Sequence, residues 1–227
     1  MYIKITTRCN MSCEHCCYSA TKDGEDMAIE MFKKILDKWH QEIDCGNGYV
    51  TLGGGEPTLH PKFWDFVELA WKYGRPWMVT NGSNKKDALL IAELAKKGYL
   101  HGVLSLDKWH DPISREVIDA FTEGLTHQDH GRFKCMISTT DPNDRREIRT
   151  VILPYAGGRA VQFEVSTKSC PCPGFQFVPS GDIYPCGCDD APIIGTVDSG
   201  VKDIQYKYYS MHDGCYKKVN ATYVGET

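Results

Sequence analysis

The sequence predicts an α/β protein with a parallel sheet, either doubly wound or curled into a barrel. Strand-like and helix-like segments alternate from residue 2 to residue 165. Polar or glycine-rich residues follow four successive strands, which places them together at the carboxyl edge of such a sheet. From about residue 167 the sequence becomes rich in cysteine, glycine and proline, which predicts a smaller second region.

The strands are predicted from short apolar runs bounded by polar or glycine residues. The helices are predicted from apolar residues at helical spacing, with Gly74 and Gly98 as end signals and Pro112 near a first turn. Six strands are expected, over residues 2–7, 48–52, 76–80, 102–106, 132–139 and 160–165. Five helices are expected between them, over residues 25–43, 61–74, 85–98, 112–125 and 142–156.

Length and composition limit the class of protein. The 227 residues suffice for one large core with a small appended module. The net charge of −4 argues against a large nucleic-acid footprint, and no apolar run approaches the roughly 18 residues of a membrane span. Because no secretory signal opens the sequence, we expect a cytoplasmic protein.

The cysteines indicate metal binding. Eleven are present, four of them at residues 9–17 and five at residues 170–215. An odd number in tight clusters favours metal sites over disulfides in a reduced compartment. Cys135, which stands alone in an apolar run, is interpreted as a buried small hydrophobic residue.

The first cluster places Cys9, Cys13 and Cys16 at the spacing C-x3-C-x2-C on the loop after the first strand. A [4Fe–4S] cluster has four irons, so three thiolates would leave one iron open to another ligand. The residues alone leave a second interpretation open, a structural zinc site completed by His15 or His60.

This motif, followed after the second strand by "GGGEP" (residues 53–57), resembles the radical S-adenosylmethionine (SAM) superfamily. The resemblance implies a partial (β/α)6 barrel and a [4Fe–4S] cluster whose open iron binds SAM. The cluster ligands would be Cys9, Cys13 and Cys16. The segment meeting the methionyl amino group would be Gly53, Gly54, Gly55 and Glu56.

The resemblance also implies SAM contacts from Asn81, Ser105 and Asp107, which follow the third and fourth strands. The alternative interpretation of these three residues is a strand-end cap or a turn. His15 stands where the family has an aromatic residue that packs on adenine, and a histidine ring can also stack.

A second metal site is expected in the carboxyl-terminal region. "FQFVPSGDIYP" (175–185) predicts a β-hairpin that turns at Ser180-Gly181 between flanking cysteines. The pattern resembles the twitch form of the SPASM extension, which implies an auxiliary [4Fe–4S] cluster, and a zinc ribbon is the alternative. Its ligands would be four of the five residues Cys170, Cys172, Cys186, Cys188 and Cys215. The predicted domains are residues 1–166 (barrel), 167–219 (cysteine-rich module) and 220–227 (tail).

Two further residues are candidates for a catalytic role. His110, within "DKWHDP" (107–112), could exchange a proton near neutral pH. The alternative is a polar loop in which Asp111 caps the next helix. Cys17 could donate a proton or a hydrogen atom, and burial without a role is the alternative.

The function implied by the resemblance is reductive cleavage of SAM to a 5′-deoxyadenosyl radical that removes a hydrogen from a peptide or small-molecule substrate. A reductant protein such as flavodoxin or ferredoxin is the expected partner. Alternatives are a nucleotide or modified-base substrate, or activation of a glycyl-radical enzyme. The alternative of another class is a zinc-binding interaction protein.

Overall fold

The computed structural model describes residues 2–40, 48–130, 133–152, 157–163, 174–188 and 190–210. Strands and helices alternate in the first half, as predicted. No helix within the described residues is long and apolar enough to cross a membrane. The elements of this half are β1 (Tyr2–Thr6), α1 (Ile29–Trp39), β2 (Tyr49–Gly54), α2 (Phe63–Trp71), β3 (Arg75–Thr80), α3 (Lys85–Lys96), β4 (His101–Ser105) and α4 (Arg115–Thr122).

Three more strands complete this side of the sheet: β5 (Thr126–His130), β6 (Phe133–Ile137) and β7 (Arg146–Val151). β7 lies parallel to β4, so that β1, β2, β3, β4 and β7 form a parallel centre in that order. β6 and β5 continue the sheet in antiparallel pairing beyond β7. The predicted α/β class with a mostly parallel sheet is confirmed.

The two faces of the sheet differ, because successive side chains of a strand point to opposite sides. One face packs against the helices and forms the apolar core. Its strand residues are buried and include Ile3, Ile5, Val50, Leu52 and Met78. The opposite face, called the inner face here, is polar and aromatic and carries Tyr2, Lys4, Thr51, Trp77, His101, Glu147 and Arg149.

The prediction fails after α4. The predicted helix over 142–156 is wrong, because β7 occupies residues 146–151. The predicted strand over 132–139 is confirmed as β6, but it runs antiparallel to β7. The predicted strand over 160–165 is wrong in its described part, where Gly158–Phe163 forms a short 3-10 helix. Helix α4 begins after Ser114, so the interpretation of Asp111 as its cap is also wrong.

The predicted carboxyl-terminal hairpin is confirmed. It consists of β8 (Gln176–Phe177) and β9 (Asp182–Tyr184), and it is followed by β10 (Gly195–Thr196) and α5 (Val201–Tyr209). β8 also pairs in parallel with β1, so the hairpin belongs to the same sheet.

Trp39 of α1 packs against this hairpin. Its indole N–H donates to the Val197 carbonyl at 3.1 Å, and its ring lies edge-on to Phe177. The predicted domain boundary at 166/167 lies outside the described residues and stays a prediction.

Arg146 connects β7 to α4. Its side chain is 2 % exposed and pairs with Asp144, whose side chain is 6 % exposed, at 2.6 Å. The guanidinium also donates to the carbonyls of Ala120 at 2.6 Å and Glu123 at 2.8 Å. These partners explain how an arginine can occupy the helix-facing side of a strand, since buried charges require pairing.

Replacement of Arg146 by alanine is expected to lower the free energy of unfolding by about 3–5 kcal/mol, because it leaves Asp144 buried without its partner. Urea denaturation of the two proteins measures the difference. Arg115→Ala is the control, since the pair of Arg115 with Asp119 is 82 % and 56 % exposed. It should unfold like the wild type. If both variants have the same free energy of unfolding, the contacts of Arg146 with Asp144 and α4 do not stabilise the protein as proposed.

Candidate active site

The loop between β1 and α1 carries the three predicted cluster ligands. Backbone hydrogen bonds close its base, from Cys9 N to Thr21 O at 2.7 Å and from Met27 N to Ile5 O at 2.8 Å. Arg8 of the loop pairs with Asp26 at 2.6 Å, and its guanidinium also donates to the Leu59 carbonyl at 2.8 Å. The loop is therefore closed on itself and attached to the segment after β2.

The cysteines of this loop lie in a partly buried environment. Cys13 is buried, and Cys9 and Cys16 are half-buried. The Cys9 sulfur accepts hydrogen bonds from Met11 N at 3.5 Å and Asn81 Nδ2 at 3.8 Å. Burial raises the pKa of Cys9 to about 11, and Cys13 and Cys16 are close enough to add to this rise. A metal would deprotonate such thiols, and hydrogen bonds to cysteine sulfur are a feature of iron–sulfur sites.

The glycines that end β2 lie against the start of this loop. Gly54 has a φ of 144°, and a Cβ there would lie 1.8 Å from the carbonyl oxygen of Thr6. Gly55 donates to the same carbonyl at 3.0 Å, and a Cβ on it would lie 2.2 Å from the Arg8 carbonyl. Glycine is thus required by packing between strand and loop. The predicted SAM contacts of Gly53, Gly54 and Gly55 stay predictions.

Glu56 joins the ends of β2 and β3. Its buried carboxylate accepts hydrogen bonds from the hydroxyls of Thr58 at 2.7 Å and Thr80 at 2.8 Å, and from Asn81 N at 2.6 Å. Burial raises the pKa of Glu56, while these hydrogen bonds oppose the rise. Glu56 therefore holds the ends of β2 and β3 together. Its predicted contact with the methionyl amino group stays a prediction.

Asn81 connects β3 to the cysteine loop. Besides the Cys9 sulfur, its amide donates to Asn10 Oδ1 at 3.2 Å, and its own Oδ1 accepts from Ser83 N at 2.9 Å. Asn10 was not predicted as a site residue, although it directly follows Cys9. The turn after β3 and the loop after β1 thus form one hydrogen-bonded unit.

The loop after β4 places Asp107 beside His15. The Asp107 side chain is 1 % exposed, and its Oδ1 accepts from His110 Nδ1 at 2.8 Å and Trp109 N at 3.0 Å. His15 stacks on Trp109 with ring centroids 4.8 Å apart. Asp107 Oδ2 and His15 Nδ1 are among the described buried atoms that have no hydrogen-bond partner. Asp107 Oδ2 lies 3.7 Å from His15 Nε2, so the two side chains form an ion pair when His15 is protonated.

His110 lies beside a predicted cluster ligand. Burial lowers the pKa of His110, but its hydrogen bonds with Asp107 and Cys13 outweigh this effect and raise the pKa to about 10. Burial lowers the pKa of His15. The ligand atoms of His15, Asp107 and His110 lie within 4.8 Å of one another, so these side chains could also hold a metal ion. Catalysis by His110 stays a prediction.

The surroundings of Ser105 and Cys17 indicate no specific role. Ser105 ends β4, is half-buried and lies opposite Arg149 of β7. Cys17 is half-buried, and its backbone lies against Gly158. The predicted SAM contact of Ser105 and the catalytic role of Cys17 stay predictions.

The inner face carries a connected group of side chains that sequence reasoning missed. Glu147 accepts from Arg149 Nη2 at 2.9 Å and lies 3.1 Å from His101 Nε2. Arg149 lies over the Trp77 ring at 5.3 Å. Burial alone would raise the pKa of Glu147, but His101 and Arg149 lower it to about 2. The group combines an aromatic ring with paired charges on the inner face.

Two of the five carboxyl-terminal cysteines are described. Cys186 and Cys188 are buried and pack with Ala191 and Tyr184. A Cβ on Gly157 would lie 2.3 Å from Cys188 Sγ, so this thiol lies against the segment that also contacts the cysteine loop. The other three predicted ligands lie outside the described residues: Cys170, Cys172 and Cys215.

Comparison with known proteins identifies the family behind this geometry. The family model of the radical SAM superfamily matches residues 3–127, more than half of the 227 residues. The chain belongs to the radical SAM superfamily. Membership implies SAM and a [4Fe–4S] cluster as cofactors, and the matched region contains both the cysteine loop and the glycine-rich end of β2.

Similar curated proteins match only in part. A tungsten-containing aldehyde ferredoxin oxidoreductase cofactor-modifying protein of Pyrococcus furiosus is 41 % identical over 101 residues, 43 % of this chain and 28 % of the relative. The mycofactocin maturase MftC of Mycolicibacterium smegmatis is 30 % identical over 105 residues, 46 % of this chain and 26 % of the relative. The antilisterial bacteriocin subtilosin biosynthesis protein AlbA of Bacillus subtilis is 29 % identical over 123 residues, 52 % and 25 % of the two chains. The matches thus span about a quarter of these relatives.

Solved radical SAM structures share the fold. BtrN in complex with AdoMet and 2-DOIA superposes with a TM-score of 0.61 at 16 % identity, covering 94 % of this chain and 86 % of that one. Native anSMEcpe with bound AdoMet superposes with a TM-score of 0.51 at 17 % identity, covering 89 % and 80 %. These similarities support the predicted fold class of this chain.

Proposed function

We propose that this chain is a radical SAM enzyme in which Cys9, Cys13 and Cys16 hold a [4Fe–4S] cluster with one open iron. The proposal rests on the contact between the cysteine loop and the end of β3, where the Asn81 amide donates a hydrogen bond to the Cys9 sulfur at 3.8 Å. When bound, the reduced cluster supplies one electron to the SAM sulfonium, which gives methionine and a 5′-deoxyadenosyl radical that takes a hydrogen atom from the substrate.

The residues at the carboxyl ends of β2 to β4 would orient SAM. Asp107 Oδ2, which lies 3.7 Å from His15 Nε2, and His15 Nδ1 make no hydrogen bond within the described residues and are suited to the polar groups of an adenosine. Trp109 fixes the plane of the His15 ring, on which adenine would pack. Glu56 keeps β2 and β3 in register at this edge. The proposed SAM contacts are completed by Gly53, Gly54, Gly55, Glu56, Asn81 and Ser105.

We infer that the substrate is a peptide or a small molecule that lies against the inner face. Trp77 offers an apolar surface there, and the pair of Arg149 with Glu147 offers hydrogen-bond donors and an acceptor. The names of two relatives, a mycofactocin maturase and a subtilosin biosynthesis protein, support a peptide. The name of a third, a cofactor-modifying protein, supports a small molecule.

We further propose an auxiliary [4Fe–4S] cluster in the carboxyl-terminal module. Cys186 and Cys188 are buried in one cluster, so both thiols could bind the same metal centre. Two of the three cysteines outside the described residues would complete it. The electrons would come from a reductant protein such as flavodoxin or ferredoxin.

An isotope experiment tests the reaction and the substrate class. Anaerobic, iron-loaded protein is incubated with SAM, dithionite and one carbon-deuterated candidate at a time: precursor peptides, small metabolites or nucleotides. The expected result is deuterium in 5′-deoxyadenosine with a peptide or a small metabolite. Deuterium from nucleotides only would move the substrate to the alternative class. Iron-loaded, reduced protein that forms no 5′-deoxyadenosine with any candidate would contradict the proposal.

A further inference from the structure

The short 3-10 helix Gly158–Phe163 lies against the loop that carries the proposed cluster ligands. Arg159 makes the main polar contacts: its Nε donates to the Cys13 carbonyl at 2.9 Å, and its Nη1 donates to the Ala20 carbonyl at 3.0 Å. One guanidinium therefore spans two carbonyls of the loop, seven positions apart in the sequence. Such hydrogen bonds from a charged donor are stronger than those between neutral groups.

Backbone contact holds Arg159 at this distance. Gly158 has a φ of 54°, and a Cβ there would lie 2.5 Å from the Cys16 carbonyl oxygen and 2.6 Å from that of Cys17. Ala160, on the other side of Arg159, is fully buried, and its N–H donates to Gly157 O at 3.1 Å. Gly158 thus packs against the loop and Ala160 is buried, which limits the positions open to the Arg159 side chain.

The far end of the helix contacts the proposed adenosine site. Phe163 lies 5.9 Å from the ring of Trp109, which in turn stacks on His15. Gln162 adds a longer hydrogen bond, from its Nε2 to the Glu14 carbonyl at 3.3 Å. This helix therefore contacts the loop at Cys13, Cys16 and Cys17 and also contacts the aromatic ring of Trp109.

We propose that Arg159 is a positioning residue that fixes the cysteine loop around the iron–sulfur cluster and places a positive charge beside it. The proposal rests on the function proposed above, because it takes Cys9, Cys13 and Cys16 as the ligands. A fixed cation favours the reduced, more negative cluster, and so raises its reduction potential. The two carbonyl contacts also slow the opening of the loop and the loss of iron.

Two substitutions separate the charge from the geometry. Arg159→Lys keeps the positive charge but loses the planar fork that reaches both carbonyls. Arg159→Met loses the charge and the donors while keeping a long apolar stem. Gln162→Met is the matched control, since it removes an uncharged donor to the same loop from the same helix.

The measurements are made on anaerobic holoenzyme without substrate. The midpoint potential is taken from the part of the EPR signal that changes when SAM is added, and iron release to a chelator is followed by absorbance. We expect Arg159→Met to have a more negative potential and to lose iron at least about tenfold faster, since two hydrogen bonds from a charged group are removed. Arg159→Lys should keep the wild-type potential and lose iron at an intermediate rate. Gln162→Met should match the wild type in potential.

A potential of Arg159→Met equal to that of the wild type overturns the proposal, whatever its rate of iron loss. If Arg159→Met does not fold, the rate of iron loss from soluble Arg159→Lys is compared with that of the wild type. Equal rates would also overturn the proposal. A wild type that binds no iron is a different result, since it contradicts the proposed function itself.

Discussion

Cys13→Ala is expected to abolish formation of 5′-deoxyadenosine and to remove one cluster from the protein. Cys13 is the buried member of the three cysteines, and both its thiol and its carbonyl are in contact with other site residues, His110 and Arg159. A new ligand therefore has little access to replace it. Iron per chain after anaerobic purification should fall from about eight to about four.

Cys135→Ala is the matched control for this variant. Cys135 is also a buried cysteine, but it lies on β6, on the antiparallel side of the sheet. Because its thiol contacts Glu147 and Arg149 of the inner face, the control is compared in iron content alone, which should equal that of the wild type. A wild type with about four irons that are all lost in Cys13→Ala would support the radical site and remove the auxiliary cluster. Unchanged iron in Cys13→Ala would contradict the ligand assignment.

Gly54→Ala is expected to have the second largest effect. The new Cβ would lie 1.8 Å from the Thr6 carbonyl oxygen, at a backbone φ of 144° that L-residues rarely adopt. Neither atom can move without separating the ends of β1 and β2, because Gly55 N donates to the same carbonyl. We expect the free energy of unfolding to fall by about 2–4 kcal/mol and SAM to bind at least about tenfold more weakly.

Gly124→Ala separates backbone strain from close packing. Gly124 also has a positive φ, 75°, but nothing lies within 4 Å of a Cβ built on it. Its replacement should cost about 1–2 kcal/mol and leave SAM binding unchanged. Urea denaturation and equilibrium dialysis of SAM measure both effects. Equal costs for the two variants, with SAM affinity retained in Gly54→Ala, would contradict a role for this close approach.

The first four strands and their helices could be predicted because their apolar residues form short runs in the strands and helical repeats in the helices. The prediction failed where charges are part of the packing. β7 contains Arg146, Glu147 and Arg149, which read as the exposed face of a helix. In the structure each of them has partners: Asp144 and two carbonyls for Arg146, and an ion pair on the inner face for Glu147 and Arg149. The ion pairs join residues two positions apart, but the carbonyls of Ala120 and Glu123 lie 26 and 23 positions before Arg146, and local periodicity does not reveal those contacts.

The candidate site was likewise predictable only in part. Cysteine spacing, the glycines and the polar strand ends were visible in the sequence, and the structure brings Cys9, Asn81 and Glu56 together. Arg159 could not be found this way, because its partners are backbone carbonyls 146 and 139 positions away. Any residue type supplies a carbonyl, so no motif records the contact. Asn10 had a weak signal, since it is adjacent to Cys9.

The central claim is that three cysteines hold an iron–sulfur cluster that cleaves SAM. Its most direct test is the yield of 5′-deoxyadenosine and methionine from SAM with the anaerobic, iron-loaded wild type and dithionite, beside Cys13→Ala. We predict equal amounts of both products from the wild type and none from the variant. Iron-loaded, reduced wild type that leaves SAM intact, or a variant without this cluster that still cleaves SAM, would contradict the claim.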